Sequence, residues 1–145
     1  MKIRISTATI EDVDALVEMA KDLYKTNENL YNEFESILND KDAVVFLVSD
    51  PNGLIGFEHI QIRHDYVEGC KTNNVAYLEG VYLKPDCRSH GIGKTLIEKG
   101  IKWAKDNGCK EFASDCEISN ELSIKFHEAV GFNVVNKVVC FRKEI

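Results

Sequence analysis

The chain has 145 residues, 44% of them hydrophobic and 29% charged, which fits one globular domain with one sizeable core. No stretch approaches the roughly 18 apolar residues of a membrane span. The opening Met1-Lys2-Ile3-Arg4-Ile5-Ser6 lacks the apolar centre of a signal peptide, so a cytoplasmic protein that engages no membrane is expected. The net charge of −6 argues against a nucleic-acid binder and leaves room for a small cationic partner.

In chain order, residues 2–6 read as a first strand. Thr9 with Asp12 three residues later marks a helix start, and Val13, Leu16, Val17 and Ala20 then share one helical face. Residues 24–31 are polar and irregular. Phe34, Ile37 and Leu38 repeat the helical spacing. An apolar run over 43–49 meets the turn signal Asp50-Pro51-Asn52-Gly53, and a long, bent return strand is expected over 54–67. Val75–Leu83 is the next strand, closed by Lys84-Pro85. Helical spacing covers 95–107 and ends at Asn107-Gly108. A strand over 111–116, a helix over 121–130 and one or two β-segments over 132–143 complete a mixed α/β domain spanning 1–145.

Cys70, Cys87, Cys109, Cys116 and Cys140 have no Cys-x-x-Cys spacing, so free thiols in a reducing compartment are expected, not disulfides or zinc. Glu79 stands inside an otherwise apolar strand, between Leu78 and Val81. A carboxylate there is costly unless it is paired, functional or turned to solvent. Asp115, near the end of the following strand, either reaches the same cleft or caps a loop.

Gly91 and Gly93 lie between a strand and a helix. Such glycines let backbone N–H groups approach an anion, and the helix N-terminus favours negative charge there. Arg88 and Lys94 can add positive charge. Gly93-Lys94-Thr95 echoes a Walker A loop, but Arg88 holds the place of its first glycine. Leu96 holds the third glycine position of a dinucleotide fingerprint. A plain glycine turn into a helix stays open on the residues alone.

The string Val81-Tyr82-Leu83-Lys84-Pro85-Asp86-Cys87-Arg88-Ser89-His90-Gly91-Ile92-Gly93 resembles the acetyl-CoA motif of the GNAT acetyltransferases. Asn120-Glu121-Leu122-Ser123-Ile124-Lys125-Phe126-His127-Glu128-Ala129-Val130-Gly131-Phe132 resembles that family's second motif, in the right order. The resemblance implies a GNAT fold, a mixed central sheet with splayed middle strands flanked by helices. It implies acetyl-CoA as cosubstrate and no metal. Val81, Tyr82 and Leu83 would bond the pantetheine arm through their backbone. Arg88, Ser89, His90, Gly91, Ile92, Gly93, Lys94 and Thr95 would cradle the pyrophosphate, and Asn120 would meet the pantetheine side. His127 takes the place of a Tyr that protonates the leaving thiolate; an exposed helix residue is the alternative.

Ile62-Arg63-His64-Asp65-Tyr66-Val67-Glu68-Gly69-Cys70, Tyr77-Leu78-Glu79-Gly80-Val81-Tyr82, Glu111-Phe112-Ala113-Ser114-Asp115 and Lys137-Val138-Val139-Cys140-Phe141-Arg142-Lys143 are similar to segments of the short aminoglycoside 6'-N-acetyltransferases. The similarity implies that Tyr66, Glu79 and Asp115 hold a cationic sugar, with Tyr24 packing on it and Asn136 at a position that is acidic in that group. It implies Glu79 as the base that takes a proton from the attacking amine, Asp115 as an anchor for other ammonium groups (the two roles being interchangeable), and a homodimer. Another amine acceptor, such as a polyamine, amino acid or protein N-terminus, and a non-catalytic acyl-CoA-binding domain are the alternatives.

Overall fold

The computed structural model describes residues 2–24 and 29–145. The expected loop over 24–31 therefore lies partly outside the described residues. Strands β1 (Arg4–Thr7), β2 (Ala43–Asp50), β3 (Gly53–Arg63), β4 (Val75–Leu83) and β5 (Glu111–Ala113) stand side by side in chain order. The first four are antiparallel, and β5 joins β4 in parallel. Helices α1 (Val13–Leu23), α2 (Leu30–Leu38), α3 (Ile92–Asp106) and α4 (Glu121–Ala129) cover the sheet.

Strand alternation divides the apolar residues between two cores. On one face, Val45, Leu47, Phe57 and Tyr82 meet Val13, Leu16 and Ala20 of α1 and Phe34 of α2. On the other, Phe46, Ile60, Ile62, Ala76 and Leu78 meet Ile92, Leu96, Ile97 and Ala104 of α3, with Phe126 of α4 at the margin. The chain enters α1 as expected: the Thr9 N–H donates to Asp12 Oδ2 at 2.8 Å. At the β2–β3 turn the Asn52 N–H donates to Asp50 Oδ1 at 2.8 Å, and Gly53 takes φ +127°.

Four expected boundaries are corrected. β3 ends at Arg63, not near residue 67, because its partner β4 begins at Val75, opposite Arg63. α3 begins at Ile92, not Thr95, so Gly93 and Lys94 belong to its first turn. β5 stops at Ala113, its last residue paired with β4, instead of running to 116. Residues 132–143 form no strand; Phe132 packs against the core and stacks on Phe112, and the rest run exposed, without a neighbouring strand among the described residues. Among the described residues no helix is long and apolar enough to cross a membrane.

Candidate active site

β4 carries one extra residue. Gly80 is opposite His59 and Leu78 is opposite Ile60, so Glu79 has no partner on β3. Such a bulge re-aims a side chain and reverses the alternation beyond it. Before it, Ala76 and Leu78 face α3; after it, Tyr82 faces α1. Tyr77 and Glu79 consequently share the face away from α3, where Arg63 of β3 meets both. The Arg63 guanidinium donates from Nε to Glu79 Oε2 and from Nη2 to Glu79 Oε1, each at 2.9 Å. It lies 3.5 Å above the centroid of the Tyr77 ring. The Tyr77 hydroxyl donates in turn to Asp115 Oδ2. Glu79 and Asp115 are thus joined by two residues that the sequence did not single out. The Glu79 side chain is 23% exposed and that of Arg63 41%, so the pair opens to solvent. Burial, then the Asp115 hydrogen bond, pushes the Tyr77 phenol well above its ordinary range.

Tyr24 belongs to the same face. A Cβ at Gly80 would stand 2.2 Å from the Tyr24 Oη, so only glycine lets that hydroxyl settle on the bulge beside Glu79. Burial, with the charge of Glu79 second, raises the Tyr24 phenol. His59 lies beneath, opposite Gly80; burial lowers its imidazole and favours the neutral ring. Tyr66 is not hydrogen-bonded to Glu79 or Asp115. It stands 75% exposed, and its hydroxyl accepts the Gly69 N–H at 3.4 Å. Asn136 donates from Nδ2 to Glu68 Oε1, so the tail docks on the loop that carries Tyr66.

The other edge of β4 is where the sheet parts. β5 pairs only with Val75, Ala76 and Tyr77, which leaves residues 78–83 of β4 with no strand on that side among the described residues. Its backbone groups there are available to a ligand laid along the gap. The Val81 and Leu83 side chains pack toward α3, and the Tyr82 hydroxyl points away to Asp22 at 2.8 Å. Only the main chain of these residues borders the gap. At the fork, Ser114 Oγ lies 3.4 Å from the Leu78 carbonyl and 2.8 Å from His127 Nε2. His127 Nδ1 lies 2.7 Å from the Ser123 carbonyl. A carbonyl can only accept, so Nδ1 carries the hydrogen and Nε2 accepts from Ser114 in the neutral ring. Asn120 opens α4, its Oδ1 accepting the Ser123 N–H at 3.1 Å.

At the mouth of the gap, Ser89 at φ 65° and Gly91 at φ 78° turn the chain into α3. Left-handed residues in such a turn gather N–H groups into an anion-binding concavity. Holding Ser89 there costs about 1 kcal/mol. A Cβ at Gly91 would meet nothing within 4 Å, so this face of the loop is open. The N–H groups of Ile92, Gly93 and Lys94 lie in the first turn, where intrahelical acceptors are lacking. His90 and Lys94 are exposed beside them, while the Ile92 side chain is buried. Two assignments change. A Cβ at Gly93 would stand 2.7 Å from the Phe126 ring, so this glycine lets α4 pack on α3. The Thr95 N–H and hydroxyl both donate to the Gly91 carbonyl at 3.2 Å and are used within the helix. Arg88 donates from Nε to the Leu83 carbonyl at 2.8 Å, which fixes its guanidinium at the end of β4.

Glu58 also escaped prediction. It is 0% exposed, and neither carboxyl oxygen has a hydrogen-bond partner among the described residues. Burial raises its pKa well above the usual carboxylate range. A charged residue within the apolar stretch 54–62 is the same signal that marked Glu79. Among the described residues no cluster of three or more His, Cys, Asp or Glu could hold a metal ion.

A mixed sheet forking at β4 and β5, with an anion cradle where the forked strand turns into a helix, is the architecture of acyl-CoA N-acyltransferases. The acetyltransferase (GNAT) family model matches residues 13–132, and the chain belongs to that family. Among curated relatives, the aminoglycoside N(6')-acetyltransferase type 1 of Stenotrophomonas maltophilia is 33% identical over 139 residues, 95% of this chain and 91% of its own. That of Salmonella typhimurium is 38% identical over 109 residues, 75% of each. The solved structure of AAC(6')-Iy in complex with the bisubstrate analog CoA-S-monomethyl-acetylneamine matches with TM-score 0.93 at 31% identity, over 100% of both chains.

Proposed function

We propose that this chain transfers the acetyl group of acetyl-CoA to the 6'-amino group of aminoglycosides, by direct attack in a ternary complex. The carrying observation is the Glu79–Arg63–Tyr77–Asp115 array beside the free edge of β4. It sets two carboxylates where a polycationic sugar would meet a thioester lying in the fork. Relatives named for aminoglycoside 6'-acetylation, alignable over nearly the whole chain, support the same acceptor.

Acetyl-CoA supplies an acetyl thioester. The open face at Gly91 and the first-turn N–H groups of α3 suit its pyrophosphate. The free β4 backbone at Val81 suits its pantetheine arm, with Asn120 on the opposite wall; the Leu83 carbonyl is already taken by Arg88, which leaves that residue only its N–H to offer. A Val81 N–H in the fork would polarise the thioester carbonyl. The attacking amine must lose a proton. Both Glu79 oxygens accept from Arg63, whereas only Oδ2 of Asp115 is bonded to Tyr77. We therefore assign Asp115 as the base and Glu79 as the anchor for an ammonium group, reversing the order that the resemblance suggested. His127 reaches the fork through Ser114, whose hydroxyl passes a proton to the leaving thiolate while Nε2–H of the charged ring replaces it. Tyr24 lines the acceptor side next to Glu79, and Tyr66, exposed on the following loop, is assigned to the same acceptor. Asn136 brings no charge itself but holds the Glu68 carboxylate.

All five cysteines are unpaired, which supports a cytoplasmic location. The exposed tail residues Val138, Val139 and Phe141 (91%) support a homodimer formed through the C-terminal segment. Light scattering of the whole chain should give twice the monomer mass. The acceptor is tested by incubating the protein with acetyl-CoA and kanamycin, tobramycin or spermine and weighing the products. One acetyl on the 6'-amine of the drugs is expected; acetylated spermine with untouched drugs would sink the reading.

A further inference from the structure

Arg63 occupies the place that the proposed function reserves for a substrate. Its guanidinium saturates both oxygens of Glu79 in parallel 2.9 Å hydrogen bonds and covers the Tyr77 ring at 3.5 Å. The hydrogen bonds to Glu79 raise the Arg63 pKa further above its already high ordinary value, so the residue stays charged. Yet its side chain is 41% exposed, and it sits on the last residue of β3, where the strand gives way to the 64–74 loop. A long side chain so placed can swing into solvent by rotamer change alone. Glu79 sits on a bulge that fixes its direction. The movable partner is therefore the arginine.

Resting on the aminoglycoside reading, we infer that Arg63 is the specificity-determining residue of the acceptor site, an internal cation that an incoming ammonium must displace from Glu79. The exchange replaces one ion pair by another and leaves no carboxylate unpaired. A neutral acceptor has nothing to offer Glu79 in return. The reacting amine cannot serve either, because it must be deprotonated to attack. Displacement thus requires a second ammonium on the acceptor, and the gate selects polyamines over monoamines of the same shape. Departure of the guanidinium also bares the Tyr77 ring face for the sugar.

The test begins with Arg63→Gln and Arg63→Lys. In Arg63→Gln the KM for kanamycin should fall about three- to tenfold, the factor expected when a partly exposed ion pair no longer has to be broken. The KM for acetyl-CoA should stay unchanged, and Arg63→Lys, which keeps the charge, should stay close to the parent. A kanamycin KM that is unchanged or raised in Arg63→Gln overturns the inference. Should that variant fail to fold, the parent protein answers by nitrogen-15 NMR of the Arg63 Nε–H. Saturating kanamycin should move this resonance to the position of a free guanidinium, and methyl 6-amino-6-deoxyglucoside, a monoamine, should leave it in place. A signal that remains paired under kanamycin overturns the inference equally. Absence of turnover by the parent with every aminoglycoside would instead remove the functional reading itself.

Discussion

Gly100 of α3 lies directly over Glu58 of β3: a Cβ added at Gly100 would stand 3.0 Å from Glu58 Oε1 and 2.5 Å from Ile60 Cδ1. The helix roofs a carboxyl group that has no hydrogen-bond partner among the described residues. Such a group folds in its neutral form. Its pKa is raised in the fold, so the unfolded chain ionises first as pH increases. Stability from this site is full below the ordinary value of 4.5 and is lost as pH climbs toward the raised folded value. Glu58→Met should therefore raise stability at neutral pH by about 1–3 kcal/mol and flatten its decline with pH. Urea unfolding at a series of pH values checks this; an unaltered pH slope would show that Glu58 is not its source. Gly100→Ala should lose stability despite alanine's better helix propensity, because Ile60 must move.

Tyr77 connects the two halves of the acceptor site, its ring under Arg63 and its hydroxyl on Asp115. Tyr77→Phe keeps the ring and removes the donor. We expect about a tenfold loss in kcat/KM for an aminoglycoside, the scale of a hydrogen bond to a charged group, with the acetyl-CoA KM unaltered. Because the phenol is held above its ordinary value of 10.0, it keeps its proton and its bond throughout the working pH range. In an absorbance titration of tyrosinate, Tyr77→Phe should remove a late-ionising phenol. Loss of a phenol that ionises at the ordinary value would contradict the assignment.

The contrast between β4 and β5 shows what could be read in advance. Val75–Leu83 has the bounds expected from sequence, since a polar loop precedes it and Pro85 follows it. The glycine turn ahead of α3 and the α4 start at Glu121 were equally local. β5 ends early because a strand needs a partner, and β4 diverges after Tyr77; no residue type announces a divergence. The bulge at Glu79 is silent for the same reason, although the isolated carboxylate was conspicuous. Arg63 drew no notice in the sequence, because its meaning lies in a residue of another strand. The tail fails in the opposite direction. Val134, Val135, Val138 and Val139 favour a strand, but propensity cannot supply the missing edge.

His127 and Ser114 form a relay on this reading, so their removal should not be additive. His127→Ala and Ser114→Ala should each lower kcat about a hundredfold, at the lower end of general acid catalysis, with little change in either KM. The double variant should be hardly slower than either single one. Additive losses would mean that the two residues act apart, and an unchanged kcat in His127→Ala would remove the imidazole from the reaction.

Gly91 and Gly93 are two residues apart and should fail differently. At Gly91 a side chain has room, but φ +78° makes alanine cost about 1–2 kcal/mol. Relaxing that strain would turn the loop and scatter the N–H groups proposed for the pyrophosphate. Gly91→Ala is thus expected to raise the Kd for CoA about tenfold, measured by calorimetry, with a modest fall in Tm. At Gly93 the backbone is helical and the obstacle is the Phe126 ring 2.7 Å away. Gly93→Ala should act first on stability, by about 1–3 kcal/mol. Phe126→Leu placed in the same chain should recover part of that loss, because the smaller side chain makes room for the new methyl. The same Leu substitution should do nothing for Gly91→Ala. Recovery of both glycine variants, or of neither, would mean that Phe126 is not what Gly93 accommodates.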